Sequence, residues 1–249
     1  MNIAEKTLQL KEDFDEVYEA GKQKEWSDFW DVFQHNGERV NYYYAFYKGN
    51  RSQKSIWTDE NFKPKYDIKP IGAANNMFYG CNFTDLKSIL EKQGVVLDLS
   101  GVTGVAQAIF GECYWLTKLP IIDLSNASSL GTTFSYCAEL ISIDKLILNE
   151  SGTQTFSSAF NACSKLKDIV IEGVIGQTID FKACPLTVAS LKNIITHLKD
   201  YAGTTSEYTY TITFNATAFA ELEDEGATSP FGIPWADYID DLKWNLELL

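Results

Sequence analysis

The middle of the chain contains short runs in which apolar and polar residues alternate. Alternation with a period of two over a few residues predicts half-buried strands, and such runs end at Leu124, Leu148 and Ile171. An earlier run predicts a strand at residues 96–99. Before it, residues 85–94 begin with an aspartate, place apolar residues on one helical face and end in glycine, which predicts a short inserted helix.

The five cysteines mark a unit that recurs in this region, because a phenylalanine stands three residues before each of them. Successive cysteines are 32, 24, 26 and 21 residues apart, which indicates an internal repeat. Equivalent positions in stacked units would place the sulfurs in a buried column, where reduced cysteine acts as a small hydrophobe. The residues predicted to form this core are Phe78, Cys81, Phe110, Cys113, Phe134, Cys137, Phe160, Cys163, Phe181 and Cys184.

The residues before the repeats predict two amphipathic helices and an aromatic strand. The helical stripes predict an apolar cap on the repeat array, and the first stripe is also compatible with a short homo-oligomer seam. In the strand, tyrosines are candidate ligand contacts for a sugar or a protein, although a strand buried on both faces would explain them equally. These tyrosines are Tyr42, Tyr43, Tyr44 and Tyr47.

The residues after the repeats predict an α/β cap. Thr187 is placed to cap a helix that stops near Gly203, strict alternation predicts a strand at residues 208–214, and a short helix follows from Ala216. Another helix carrying Trp235 and a final strand beginning at Trp244 complete this part. The predicted organisation is therefore residues 1–73 as the first cap, 74–186 as repeats and 187–249 as the second cap.

Charge and motif content exclude several classes of function. The net charge is -13, and residues 221–249 alone carry eight acids and one lysine, so the chain lacks the basic stripe of a nucleic-acid binder. These acidic ends are either solvated or docking surfaces. No stretch is apolar enough for a membrane helix, and the first residues lack the features of a secretion signal, which predicts retention in the cytosol if the natural chain starts here.

The sequence carries no recognisable catalytic motif. It has two histidines, no Cys-x-x-Cys pair, and none of the usual hydrolase, nucleotide-binding or metalloprotease motifs. No catalytic, cofactor-binding or metal-binding residue is therefore predicted, and no cofactor is expected. A glycoside hydrolase remains open in principle because it needs only two suitably placed carboxylates.

The repeated unit resembles a known family. Within residues 159–171, the residues Ala159, Phe160, Cys163, Leu166, Ile169 and Ile171 resemble the AFxxCxxLxxIxI consensus of the BspA-like leucine-rich repeats. Residues 77–81 and 119–126 are similar to other units of that family, and the resemblance covers residues 74–186. Ile122 and Leu146 stand later than the strand positions of the consensus.

This resemblance implies a fold and a role. The implied fold is an α/β leucine-rich-repeat solenoid of about five coils between the two caps, with a parallel sheet roughly 20 to 25 Å long. Such repeats occur in bacterial surface adhesins and in phage structural proteins. The missing export signal, and an opening segment similar to the leaders of phage-encoded repeat proteins, favour a virion component of the tail, baseplate or fibre.

The implied partners are proteins of the virion or the host surface, with a glycan as a further partner. The first alternative is a bacterial scaffold or an adhesin-like module; a scaffold would stay in the bacterial cytoplasm. The third possibility is a glycan-active enzyme. In the leading interpretation the protein is not an enzyme.

Overall fold

The structure is a computed structural model that describes residues 46, 57–60, 62–204, 210–224 and 228–249. The two predicted helices before the repeats lie outside the described residues. Four helices and six strands occur in the described part of the chain. The helices are α1 (Leu86–Gln93), α2 (Val188–Thr196), α3 (Ala216–Asp224) and α4 (Trp235–Asp241). The strands are β1 (Lys118–Asp123), β2 (Ser142–Ile147), β3 (Asp168–Glu172), β4 (Ile179–Phe181), β5 (Tyr210–Phe214) and β6 (Trp244–Leu248).

The strands form two separate parallel sheets. One has the order β1-β2-β3 and the other has the order β4-β5-β6. Ile122 of β1 lies opposite Leu146 of β2, so the two residues that stand late against the consensus match each other. The pairing of β2 with β3 shifts register between Ile143 and Leu146. Between these two positions β2 uses one residue more than β3, as in a β-bulge, which locally bends the strand.

The predicted leucine-rich-repeat solenoid of about five coils is wrong. The described residues form two small three-stranded sheets and four helices, without the single five-stranded sheet that the prediction required. Residues 96–99, predicted as a strand, form only an isolated bridge between Leu97 and Ile68. Alternation shows only that a segment can form a strand. A continuous sheet also needs a neighbouring strand whose edge is in register. On one side of β1, the neighbouring element is the helix α1 and not a strand.

Both predicted helix starts are confirmed, and one of the two predicted helix ends is wrong. Asp85 caps α1 by accepting a hydrogen bond from the Ser88 N–H at 2.8 Å, and Gly94 ends it in the left-handed conformation. Thr187 caps α2, which ends at Thr196 rather than near Gly203. The helix stops early because Leu198 pairs with Ile175 in a parallel bridge.

A column of stacked phenylalanine rings forms the centre of the core. Successive rings have centroids 5.0, 5.3, 5.8, 5.2, 4.7 and 6.1 Å apart, and all seven are buried. The column includes two residues outside the Phe-x-x-Cys pattern, one at each end. Its members in order are Phe46, Phe78, Phe110, Phe134, Phe160, Phe181 and Phe214.

Candidate functional site

Four of the Phe-x-x-Cys units, those ending at Cys81, Cys113, Cys137 and Cys163, share a backbone conformation in which tight turns follow one another. In the unit around Phe134, the N–H of Ser135 donates to the carbonyl of Thr132 at 3.0 Å, and the N–H of Cys137 donates to the carbonyl of Phe134 at 3.1 Å. Thr132 and Tyr136 have positive φ angles of 53° and 62°. Positive φ at the third residue of a tight turn is normally supplied by glycine or asparagine.

The five cysteine side chains point into the core and are buried thiols. Four of them lie near the carbonyl oxygen of the phenylalanine in the preceding unit, and Cys81 lies near that of Phe46. Cys113 Sγ donates to Phe78 O at 3.0 Å, and Cys163 Sγ donates to Phe134 O at 3.1 Å. The Sγ of Cys184 is 3.9 Å from Phe160 O, which is a weaker contact. The thiols therefore link neighbouring units to each other.

Burial also makes these thiols poor nucleophiles. Desolvation raises the pKa of Cys163 to about 12 and raises the pKa values of Cys137 and Cys184 as well. Because the thiolate is the reactive form, these three side chains stay protonated and inert near neutral pH. These three thiols therefore stabilise the fold through hydrogen bonds and packing.

Three aromatic side chains project outward from two adjacent units. Tyr114, Trp115 and Tyr136 are 41%, 59% and 48% exposed, and we call this group the aromatic turn surface. Tyr114 and Trp115 are the central residues of a turn closed by the Leu116 N–H, which donates to Cys113 O at 3.1 Å. The units are neighbours, because the Glu112 N–H donates to Ser135 O at 2.8 Å. Exposed aromatic residues more than 20 positions apart in sequence thus lie on neighbouring units.

The backbone of Tyr136 is held in an unfavourable conformation. Its φ of 62° matches the 70° of Gly80, which occupies the same position in an earlier unit. A non-glycine residue in this region costs roughly 1 kcal/mol or more. The Tyr136 ring is about half exposed, so burial does not explain why a tyrosine stands where glycine would be easier. Glu112 and Ala162 also have a positive φ at the equivalent position of their units, so the feature particular to Tyr136 is its exposed ring.

A fourth aromatic ring, that of Tyr79 on the preceding unit, lies against Gly111. A Cβ atom built on Gly111 would lie 3.1 and 3.2 Å from the Cδ2 and Cε2 atoms of Tyr79. The missing side chain at Gly111 therefore leaves room for the half-buried Tyr79 ring to lie against the turn. On the other side, the positions equivalent to Trp115 hold Glu139 and Lys165, which form an ion pair at 2.5 Å.

The outer face of the β1-β2-β3 sheet offers a weaker candidate. Ile121 and Val170 are exposed there, with Lys145 opposite Ile121. Lys145 pairs with Glu172 at 2.6 Å across the sheet. Exposed ion pairs contribute little binding or stability, and the two apolar residues are isolated by charged neighbours, so this face lacks a contiguous anchor.

The tyrosines predicted as ligand contacts, Tyr42, Tyr43, Tyr44 and Tyr47, lie outside the described residues. The sequence interpretation missed the aromatic turn surface, because Tyr114, Trp115 and Tyr136 stand at positions that vary between units. An aromatic residue at a variable position of a repeated unit is the signal that would have found it. His197 follows the last residue of α2 as its C-cap, and its Nδ1 lies 2.7 Å from Asn193 O.

The described ranges contain neither a candidate metal cluster nor a helix that could span a membrane. No group of three or more histidine, cysteine, aspartate or glutamate side chains there could hold a metal ion. No helix among the same residues is long and apolar enough to cross a bilayer. Comparison of the chain with protein-family models, curated proteins and solved structures finds no significant match.

Proposed function

We propose that this protein is a non-enzymatic binding or structural protein that contacts another macromolecule through the aromatic turn surface. The observation that carries the proposal is the exposure of Tyr114, Trp115 and Tyr136 on two adjacent units. Tyrosine and tryptophan are also the residues most enriched among energetic anchors of protein interfaces.

The chemistry of the surface favours recognition over catalysis. Tyr114, Trp115 and Tyr136 supply flat rings with a polar edge, which bury a large area at a small cost in side-chain entropy. The neighbouring thiols of Cys137 and Cys163 are protonated because burial raises their pKa values.

We place the protein in a phage virion, as a component of the tail, baseplate or fibre. The support is the resemblance of residues 74–186 to BspA-like repeat sequences, together with the similarity of the opening segment to phage leaders. The proposed partner is a protein of the virion or of the host surface. The alternative location is the bacterial cytoplasm, where the same surface would serve a scaffold.

Purified phage particles test the location and the surface together. We expect the chain to sediment with infectious particles and to be identified there by peptide mass spectrometry. The double variant Trp115→Ala/Tyr136→Ala should lose most of this association while unfolding at a temperature close to that of the unmodified protein. Phe231→Ala is the matched control, since Phe231 is an exposed aromatic residue outside the surface.

Absence of the chain from particles would refute the virion assignment and leave the cytoplasmic alternative. Equal loss of association in the Phe231→Ala control would refute the role of the aromatic turn surface. A glycan partner makes a separate prediction, which is binding to host polysaccharide that the Trp115→Ala variant lacks.

A further inference from the structure

The last strand of the second sheet has an open edge. The N–H of Leu249 donates to Phe214 O at 3.1 Å, and the N–H of Ala216 donates to Leu249 O at 3.0 Å. Successive backbone groups of a strand point to opposite edges, so those of Leu246 and Leu248 point away from β5. In the part of the chain that the structure describes, these outward N–H and C=O groups have no hydrogen-bond partner.

The other sheet has its corresponding edge covered. Ser190 Oγ of α2 accepts a hydrogen bond from the Ile169 N–H at 3.0 Å, and Asn193 Oδ1 accepts one from the Ile171 N–H at 2.6 Å. The amide nitrogen of Asn193 also donates to Ile171 O at 3.3 Å. Two side chains of one helix thus occupy the backbone groups of β3, as proteins commonly do to block an exposed edge.

The side chains of β6 alternate in a way that suits an added strand. On one face, Trp244 is buried, Leu246 is half-buried and Leu248 is 44% exposed, so the apolar row becomes progressively uncovered. On the other face, Asn245 and Glu247 are exposed. A strand paired beside β6 would cover Leu246 and Leu248 with its side chains on one face. On the other face, the polar side chains of the added strand would lie beside Glu247.

We propose that the open edge of β6 accepts an extended segment of a partner protein as a further strand, and that this segment carries lysine or arginine on the face beside Glu247. Residues 221–249 contain eight acids and one lysine, and α4, directly before β6, carries Asp237, Asp240 and Asp241. The negative electrostatic potential of these acidic residues attracts a basic segment and orients it along the edge. The main-chain hydrogen bonds supply affinity, and the alternate side chains supply specificity.

The same charges disfavour pairing with a second copy of the chain. An antiparallel pair of β6 strands would bring two Glu247 carboxylates and two acidic segments together. Like charges placed opposite each other on neighbouring strands are destabilising. A basic segment of a different protein therefore fits the edge better than self-association does.

A short basic peptide tests the edge in the full chain. The probe is the acetylated and amidated peptide Thr-Lys-Val-Lys-Val-Lys-Thr, with a matched peptide in which glutamate replaces each lysine. At saturating probe, we expect amide hydrogen exchange at Leu246 and Leu248 to slow by about tenfold or more, because those N–H groups become hydrogen-bonded. The glutamate peptide should produce no such protection.

Two variants of one residue separate main-chain pairing from side-chain contact. Leu248→Pro removes an outward N–H that β5 does not use, and we expect it to weaken probe binding about tenfold. Leu248→Ala keeps that N–H and should bind within a few-fold of the unmodified chain. Unchanged binding by Leu248→Pro, or equal binding of the two peptides, would overturn the proposal.

Two further measurements separate this edge from its alternatives. Concentration-dependent dimerisation that protects Leu246 and Leu248 without the probe would overturn the proposal in favour of a second copy as the occupant. The Trp115→Ala/Tyr136→Ala variant should bind the probe normally, since the aromatic turn surface lies on other units. Loss of probe binding in that variant would also overturn it.

Discussion

The Sγ atom of Cys137 donates a hydrogen bond to the carbonyl oxygen of Phe110 at 3.0 Å, and so ties one Phe-x-x-Cys unit to the unit before it. Cys81 makes the corresponding bond to Phe46 O at 3.3 Å, although Phe46 is not followed by a cysteine. The side chain at this position must be small and apolar to fit the core, and it must donate a hydrogen bond to a buried carbonyl. Cysteine does both, since it is a small hydrophobe with a weak S–H donor. The cysteines therefore serve as connectors between buried backbone segments.

The hydrogen bond from Cys137 Sγ to the Phe110 carbonyl should contribute measurably to the free energy of unfolding. We expect Cys137→Ala to reduce the free energy of unfolding by about 1 kcal/mol more than Cys184→Ala does, because the buried Phe110 carbonyl loses one of its two donors and keeps only the Cys113 N–H. Cys184 is the matched control, since it is equally buried but its Sγ is 3.9 Å from the Phe160 carbonyl. Urea titrations measure the difference, and an equal or larger loss for Cys184→Ala would contradict it.

The phenylalanine column should dominate stability. Phe160 stacks between Phe134 and Phe181, at centroid distances of 5.2 and 4.7 Å. We expect Phe160→Ala to reduce the free energy of unfolding by about 3 to 5 kcal/mol, because it leaves a cavity in a packed core. The exposed Phe231 is the control, and its alanine variant should lose less than about 0.5 kcal/mol in denaturant titrations. Similar losses for the two variants would show that the column is not the core.

Backbone strain at the turns predicts an asymmetry between two alanines. Ala162 has a φ of 58°, whereas Ala138, in the preceding unit, is not among the residues with positive φ. We expect Ala138→Gly to destabilise by about 0.5 to 1 kcal/mol through unfolded-chain entropy. Ala162→Gly should be neutral or stabilising, because relief of the left-handed strain offsets that entropy. Thermal or urea unfolding that gives both variants the same loss would contradict the assigned turn geometry.

The buried thiols predict a loss of stability at alkaline pH. Burial raises the pKa of Cys163 to about 12, whereas a thiol in the unfolded chain ionises near pH 8.5. The higher pKa belongs to the folded state, so the stabilisation is complete below about pH 8.5 and is lost as the pH rises towards 12. We expect a fall of up to about 1.4 kcal/mol per pH unit for each such thiol.

Urea titrations with a reductant present, at about pH 8 and about pH 10, measure this fall. Cys163→Ala is the control, because removing one raised thiol should make the decline shallower between the two pH values. A slope that Cys163→Ala leaves unchanged would assign the alkaline destabilisation to other groups.

Local signals predicted many elements because each depends on residues close in sequence. The Asp85 and Thr187 caps act on N–H groups three residues away, and the alternating residues of β5 and β6 mark strands without reference to a partner. The burial of the ten Phe-x-x-Cys residues follows from their apolar character and their repetition. These parts of the structure could be predicted without knowing which segments meet.

The sequence alone determined where helices begin, which residues can form strands, and which side chains must leave water. Only the tertiary structure decided that the strands divide into two sheets, that Phe46 and Phe214 extend the phenylalanine column, and that Tyr136 lies one unit away from Trp115. Alternating patterns are nearly identical from one strand to the next, so they do not specify which edges pair. Pairing depends on contacts between residues distant in sequence, and those contacts created both the aromatic turn surface and the open edge of β6.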